Sequence, residues 1–571
     1  MALFAPAAGT PAPAFFPSVP AQFVAKVYTE GLGRAPDQPG WAADLAVFDA
    51  QGCTLGSLEQ VGKHVLETPE LTARWRDDAG ALAEIAFRAV LNREPDPAGF
   101  RALVAEITRR GWDAALSDVF GGREFASLLG QVCSVTSSSY GFNGSTGVAV
   151  AGVSGPVPAC TSCLAVRPAL GAIGPTESQL RFLAGIPGNL IILAPRTVIT
   201  LTQPLTLAHN VTIETAGLPG PSRYIDMARL VRGFARNPQG VQNSTVVLDG
   251  GATLQSVWVS GQRALWRNTV AQSLDGQGTK RLNSWGQILG GSDVQVLGGV
   301  GTSVLDDRID DSPGWSSVEM LGVDGGNFCL NNVVQGNLVE AYSSVHLAAP
   351  AQNEVVPWTD GISDHCQSSS VALNQVVDAT DIPIVLFQSD VNQLLNSPQS
   401  SQVSSNVIVS AGNSAYSALA TDPGWNPVGA GDLPGGGGTR DFTGAVIGGN
   451  LMWTGPRTHF NAVISDGTTD FYGHMAYDGR GAQILNNTTG SGLANAAAGI
   501  VVSGMMKTVV KGNNLALAFV RTGPEHIWRC SGAEHAVEWF YPQRASGDVQ
   551  GNPAAVQIPP PSSPPCIVAG T

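Results

Sequence analysis

Hydrophobic and polar positions follow two different rhythms along this chain. In the first 130 residues apolar side chains recur at helical spacing, as at Phe23, Val27 and Leu32, and each run breaks at Pro or Asp before another begins. From about residue 189 the helical period is gone. Short β-branched runs replace it, LIILAP, NVTIET, STVVLDG, SVWVSG and VQVLGG, each cut off by Gly, Asn or Pro. The pattern predicts a flexible start over 1–20, a small all-α domain over 21–130 and a linker with a cap over 131–188. A mainly β unit over 189–525 and a C-terminal cap or tail over 526–571 complete the chain.

Within the β unit, Val or Ile precedes Asn by three positions at Val334/Asn337, Val371/Asn374, Val403/Asn406, Ile447/Asn450, Ile484/Asn487 and Val510/Asn513. A constant motif at variable spacing is what a solenoid produces when its rungs are alike and its loops differ in length. The fold class expected is therefore a right-handed parallel β-helix. VALNQVVDATD at 371–381 superposes without a gap on VSSNVIVSAGN at 403–413. Equivalent residues lie one strand spacing apart, about 4.8 Å, so the Asn should form an amide ladder while Val and Ile fill the interior. Cys329 and Cys366 share a register, each eight before its Asn, and are expected as a reduced packed pair at a distance that also permits a disulfide.

The helical part repeats itself. YTEGLGRAPDQPG at 28–40 matches FRAVLNREPDPAG at 87–99 with a constant offset of 59, so Arg34 answers Arg93, Asp37 answers Asp96 and Gly40 answers Gly99. VLETPEL at 65–71 and VFGGREF at 119–125 close the two copies. These residues resemble a bacterial helical repeat of the DUF type, whose signature is an aromatic, then LGRxPDxxG, then a late SxEF-like helix. The resemblance implies a secreted or surface-associated protein and assigns no chemistry to the repeat; its Arg and Asp are expected to cap helices and tie the turn.

Acidic residues exceed basic ones by 45 − 31 = 14, a charge that repels a phosphate backbone and excludes nucleic acid as a partner. No apolar run is long enough to span a membrane, and Met1 to Pro20 has neither the basic nor the apolar segment of a signal peptide. Export by another route, loss of a leader, and a cytoplasmic or virion location all remain open on that point. Cys160-Thr-Ser-Cys163 has metal-site spacing without a second pair, and a disulfide between Cys530 and Cys566 or involving Cys133 is expected outside the cell.

Carboxylates gather where the loops are long, from Asp306 to Asp381, and this clustering is the strongest functional pointer. Asp324-Gly325 and Asp360-Gly361 are expected at nearly the same place in neighbouring rungs, and Asp360 and Asp381 one short coil apart, at the separations where glycosidases hold an acid and a base. Thr359-Asp360-Gly361-Ile362 and Asp378-Ala-Thr-Asp381 resemble the NTDG and later QDD segments of polygalacturonase-like glycoside hydrolases. Carried over, Asp360 matches the aspartate of the first segment and Asp381 the second aspartate of the other, while Trp358 stands in place of Asn, Thr380 in place of the first aspartate, and no GHG or RIK motif follows. The catalytic candidates are Asp360 and Asp381, then Asp364 and Asp324. Trp358, His365, Glu340, Asp378 and Arg457 are candidate sugar contacts. The partner implied is a polysaccharide, bound in a groove on the coil of an extracellular or cell-surface protein.

Two other chemistries compete. In SVLDDRIDDSPGW at 303–315, Asp306, Asp307, Asp310 and Asp311 surround Arg308, which resembles the acid-bound Ca²⁺ of β-helical polysaccharide lyases. A non-catalytic glycan-binding adhesin or tail-spike-like rod is the third reading.

Overall fold

The computed structural model describes residues 20–134, 176–234, 244–262, 291–314, 316–321, 329–341, 359–388, 398–422, 440–456, 458–467, 479–503, 505–519, 537–540, 549–550 and 555–557. Among them three parallel sheets build the solenoid, the main strands entering them in strict rotation as far as Phe460–Gly467, after which the first and third sheets continue. Eleven strands form the first sheet from Leu190–Leu193 to Val549–Gln550, and eight the second from Val198–Leu201 to Leu451–Thr454. The third runs from Leu205–Leu207 to Ala555–Gln557. This is a right-handed parallel β-helix, the hand that parallel crossovers take.

The Val and Ile of the repeated motif stack one above another: Val334 pairs with Val371, Val371 with Val403, Val403 with Ile447, Ile447 with Ile484 and Ile484 with Val510. All are buried in one continuous interior core. Three residues on, each amide donates to the next, Asn337 Nδ2 to Asn374 Oδ1 at 2.9 Å, then on to Asn406, Asn450, Asn487 and Asn513 at 2.9–3.0 Å. The residue before each Asn turns the corner with positive φ, at Gly336, Leu373, Ser405, Gly449, Asn486 and Gly512. A two-residue corner of fixed shape thus joins the first sheet to the second. Cys329 and Cys366 are joined by a disulfide, Cα atoms 4.8 Å apart, rather than packed as thiols.

Among the described residues eight α-helices form a bundle ahead of the coil, α1 Ala21–Gly31, α2 Gln38–Gln51, α3 Leu55–Leu66, α4 Pro69–Trp75, α5 Ala79–Ile85, α6 Pro97–Arg110, α7 Trp112–Phe120 and α8 Arg123–Ser134, and a further helix, Glu177–Ala184, leads into the first strand. The repeat residues serve structure. Asp37 accepts from the Gly40 amide at 2.9 Å and Asp96 from Gly99 at 2.8 Å, capping α2 and α6, while Arg34 pairs with Glu70 and Arg93 with Glu124. A side chain at Gly40 would meet the Tyr28 hydroxyl at 2.2 Å. A disulfide ties Cys53 to Cys133 in α8.

The helices pack onto the second sheet. Trp258, Val377, Val409 and Trp453 of the coil share one core with Phe23, Val27 and Phe87. Hydrogen bonds reach far along the rungs, from Tyr224 Oη to the Glu30 carbonyl at 2.9 Å to the Ser491 amide on Gln38 Oε1 at 2.8 Å. At the centre is an ion cluster: Glu30 accepts from Arg88 at 2.7 Å and from Arg308 at 2.8 Å, and Arg308 also holds Asp310 at 3.0 Å and Glu340.

Candidate functional site

The third sheet carries the other group of acids. Its register pairs Val318 with Ile362 and Ile384, and Glu319 with Ser363 and Val385, so the first set faces the core and the second the outside. Alternation shifts at Gly361, where a Cβ would meet the Pro383 carbonyl at 2.3 Å and Val376 Cγ1 at 2.6 Å. Asp360 consequently shares the outer face with Ser363, whose hydroxyl donates to Asp360 Oδ2 at 2.7 Å. The Ile382 amide donates to Oδ1 at 3.0 Å, and Ser316 and Ser363 hydroxyls meet at 2.6 Å.

Strand offset is 384 − 362 = 22, so Ile382 rather than Asp381 is level with Asp360. Asp381 sits directly beside it all the same, its amide donating to the Thr359 carbonyl at 3.2 Å. Burial, and next the negative charge of Asp381, hold the Asp360 carboxyl well above the usual carboxylate range, with Glu319 adding to the effect and the Ser363 and Ile382 donors opposing it. Glu319, half-buried, accepts from Ser292 at 2.9 Å and Gln295 at 3.2 Å, and burial pushes it up to about 7. Glu319 and Asp360 thus share one outer face, held by hydroxyls, an amide and a backbone N–H, with the charge of Asp381 acting on Asp360. Beyond them His365 stacks on Phe387 with centroids 4.3 Å apart, and burial drives its imidazole down to about 3.

Glu319 was not anticipated. Its only sequence signal is the outward position of a single acid in SSVEM, in register with Ser363.

Several expected site residues lie elsewhere. Asp364 points into the coil, level with Met320 and Leu386, and accepts from the Cys366 amide at 2.8 Å; burial raises it to about 7. Glu340 is under α1, held by Arg308, and so cannot contact a sugar in this groove. Asp378 accepts from the Ala411, Gly412 and Asn413 amides at 2.7–3.2 Å at the same interface, where burial pushes it up to about 6. The strand register sets Asp360 level with Ser316, not with Asp324. Asp324, Trp358 and Arg457 lie outside the described residues, as do Cys160, Cys163, Cys530 and Cys566.

The proposed calcium loop comes apart in the same way. Asp306 is an exposed corner residue with φ 53°, Asp307 is buried and accepts from the Val257 amide at 2.7 Å, and Asp310 is bound to Arg308 and the Trp258 indole. Asp311 follows at φ 58° at the edge of the helical interface. Among the described residues no group of three or more His, Cys, Asp or Glu could hold a metal ion.

No protein-family model matches the chain, the helical repeat included, and no curated protein matches it. Among solved structures it is similar to the Dettilon tailspike protein, at 15% identity and TM-score 0.31 over 69% of this chain and 73% of that one. It is similar also to an alginate lyase from Paenibacillus sp., at 11% and 0.31 over 61% and 96%. The mannuronan C-5 epimerase A-module of Azotobacter vinelandii matches at 13% and 0.34 over 68% and 94%. At this level the likenesses say nothing of chemistry.

Proposed function

We propose that this protein is an extracellular carbohydrate-active enzyme that hydrolyses a polysaccharide on the outer face of its third sheet. One observation carries the reading: Asp360 is a buried outer-face carboxyl that burial and the neighbouring Asp381 hold well above the usual carboxylate range. In this scheme Asp360 donates its proton to the glycosidic oxygen as the bond to the anomeric carbon breaks, and Asp381 takes a proton from the attacking water. Glu319 acts through Asp360, its charge helping to hold that proton. The disulfides Cys53–Cys133 and Cys329–Cys366 suit an oxidising compartment. No step requires a metal.

Polysaccharides are to be screened for new reducing ends with wild type, Asp360→Asn and Asp381→Asn. Loss of cleavage in both variants, with unchanged melting and undiminished activity in chelator, supports the scheme. Full activity in both variants removes the site, a product absorbing in the ultraviolet with chelator sensitivity replaces hydrolysis by elimination, and binding without any cleavage leaves a lectin-like rod.

A further inference from the structure

The amide ladder begins on a residue that is not an amide. Corner residues with positive φ come at Ser256, Asp306, Gly336 and Leu373, so the residues that follow them, Val257, Asp307, Asn337 and Asn374, are equivalent on successive rungs. Each ladder Asn accepts on Oδ1 the backbone N–H of the equivalent residue below, as Asn374 does from Asn337 at 3.1 Å and Asn337 from Asp307 at 2.8 Å. Its Nδ2 donates to the Oδ1 above and to a strand carbonyl below: Asn337 gives to Asn374 at 2.9 Å and to Val304 at 3.0 Å. Asp307 keeps the first half of this arrangement, since its Oδ1 accepts the Val257 amide at 2.7 Å.

The second half decides its protonation. In the register of the ladder, Asp307 Oδ2 takes the place of Nδ2, between Asn337 Oδ1 above and the carbonyl of Leu254, the residue level with Val304, below. Both are acceptors. Asp307 is fully buried, so an ionised carboxylate there would set three acceptor oxygens against one another inside the wall, away from water. A carboxylic acid removes the conflict, because its O–H donates where the amide would. The charged neighbours do not favour ionisation: Asp306, exposed at the corner, repels a second negative charge, and Arg308 turns to Glu30 and Glu340 under the helices. Burial first, with Asp306 adding and the Val257 amide opposing, holds the Asp307 carboxyl well above the usual carboxylate range.

We infer that Asp307 is held as a neutral acid whose O–H donates to Asn337 Oδ1, so that the coil takes up a proton at the foot of its ladder and loosens when that proton leaves. The folded state keeps a proton that the unfolded chain gives up above about pH 4, and stability therefore falls as pH rises from there. The test is Asp307→Asn in the full-length protein, which supplies the missing amide. The variant should melt about 3 °C or more above wild type at pH 8, and the gap should close by pH 4. In the infrared at neutral pH, wild type minus variant should show the C=O band of a protonated carboxyl. An equal gap at both pH values, a lower melting temperature of the variant at pH 8, or a carboxylate band in place of the protonated one overturns the inference. So does Ca²⁺ that raises the melting of wild type at pH 8 and not that of the variant, which would make Asp307 an ionised ligand.

Discussion

The second and third sheets of the coil both bury carboxylates on their outer faces, and they handle them in opposite ways. Under the helical domain, Glu30, Glu340 and Asp310 all touch Arg308, and Glu30 touches Arg88 as well. All three meet guanidinium groups: Glu30 is held well below the usual range by Arg308 and Arg88 against a large cost of burial, whereas at Glu340 burial outweighs Arg308 and pushes the carboxyl up to about 7. On the third sheet, Glu319 and Asp360 are met by hydroxyls and amides, and both rise. The lesson is that the number of acids in a region says little. Matched acids hold an interface together, whereas acids left to neutral donors retain protons they can give away.

The contrast breaks first at Arg308. Arg308→Ala leaves three buried carboxylates facing one another and should cost about 3–5 kcal/mol in urea unfolding; a loss below 1 kcal/mol would mean the interface does not depend on pairing. Asp360→Asn removes a carboxyl that lacks such a match, so melting should stay level or rise while cleavage falls by about a hundredfold to ten-thousandfold.

Stability against pH sharpens the comparison. Glu319 has a folded-state pKa of about 7, raised from 4.5, so the folded state holds the extra proton and stability falls as pH rises from about 4.5 to 7. Glu94, lowered to about 2 where Arg229 and Arg88 overcome its burial, contributes stability above pH 4.5 that is lost as pH falls toward 2. Glu319→Gln should therefore flatten the decline toward neutrality, by about 3 kcal/mol at pH 8, and Glu94→Gln should weaken the protein at pH 7 but not at pH 2. Identical profiles for the two variants would erase the distinction between the faces. The smallest effect belongs to the corner between the first and second sheets: Leu373, 55% exposed, has φ 59° where three other rungs use glycine and one asparagine, and Leu373→Asn should gain up to about 1 kcal/mol in thermal unfolding.

Residues that repeat were legible in the sequence. Val and Ile three before Asn recur because each rung must fill the same interior and close the same corner, so registers, ladder and the proximity of Cys329 to Cys366 followed from spacing. The nearness of Asp360 and Asp381 followed too, with an error of one residue, because the short coil between them leaves little freedom. What did not repeat was hidden. Gly361 shifts the alternation of its strand, so Asp360 and Asp364, four apart, end on opposite sides of the wall. Glu340 and Asp378 were misplaced because the helical residues that face them, Lys26 and Gln22, come more than 300 residues earlier, and no local pattern reports a contact at that range.

The reach of the helical domain also fixes an order of events at the ribosome. The helices are synthesised first, yet Gln38 finds Ser491 only after 453 further residues have emerged. Tyr224 and Arg308 reach Glu30 earlier, so the seat is built rung by rung, and a nascent chain stalled before the rung of Thr454 carries a finished bundle on an unfinished seat.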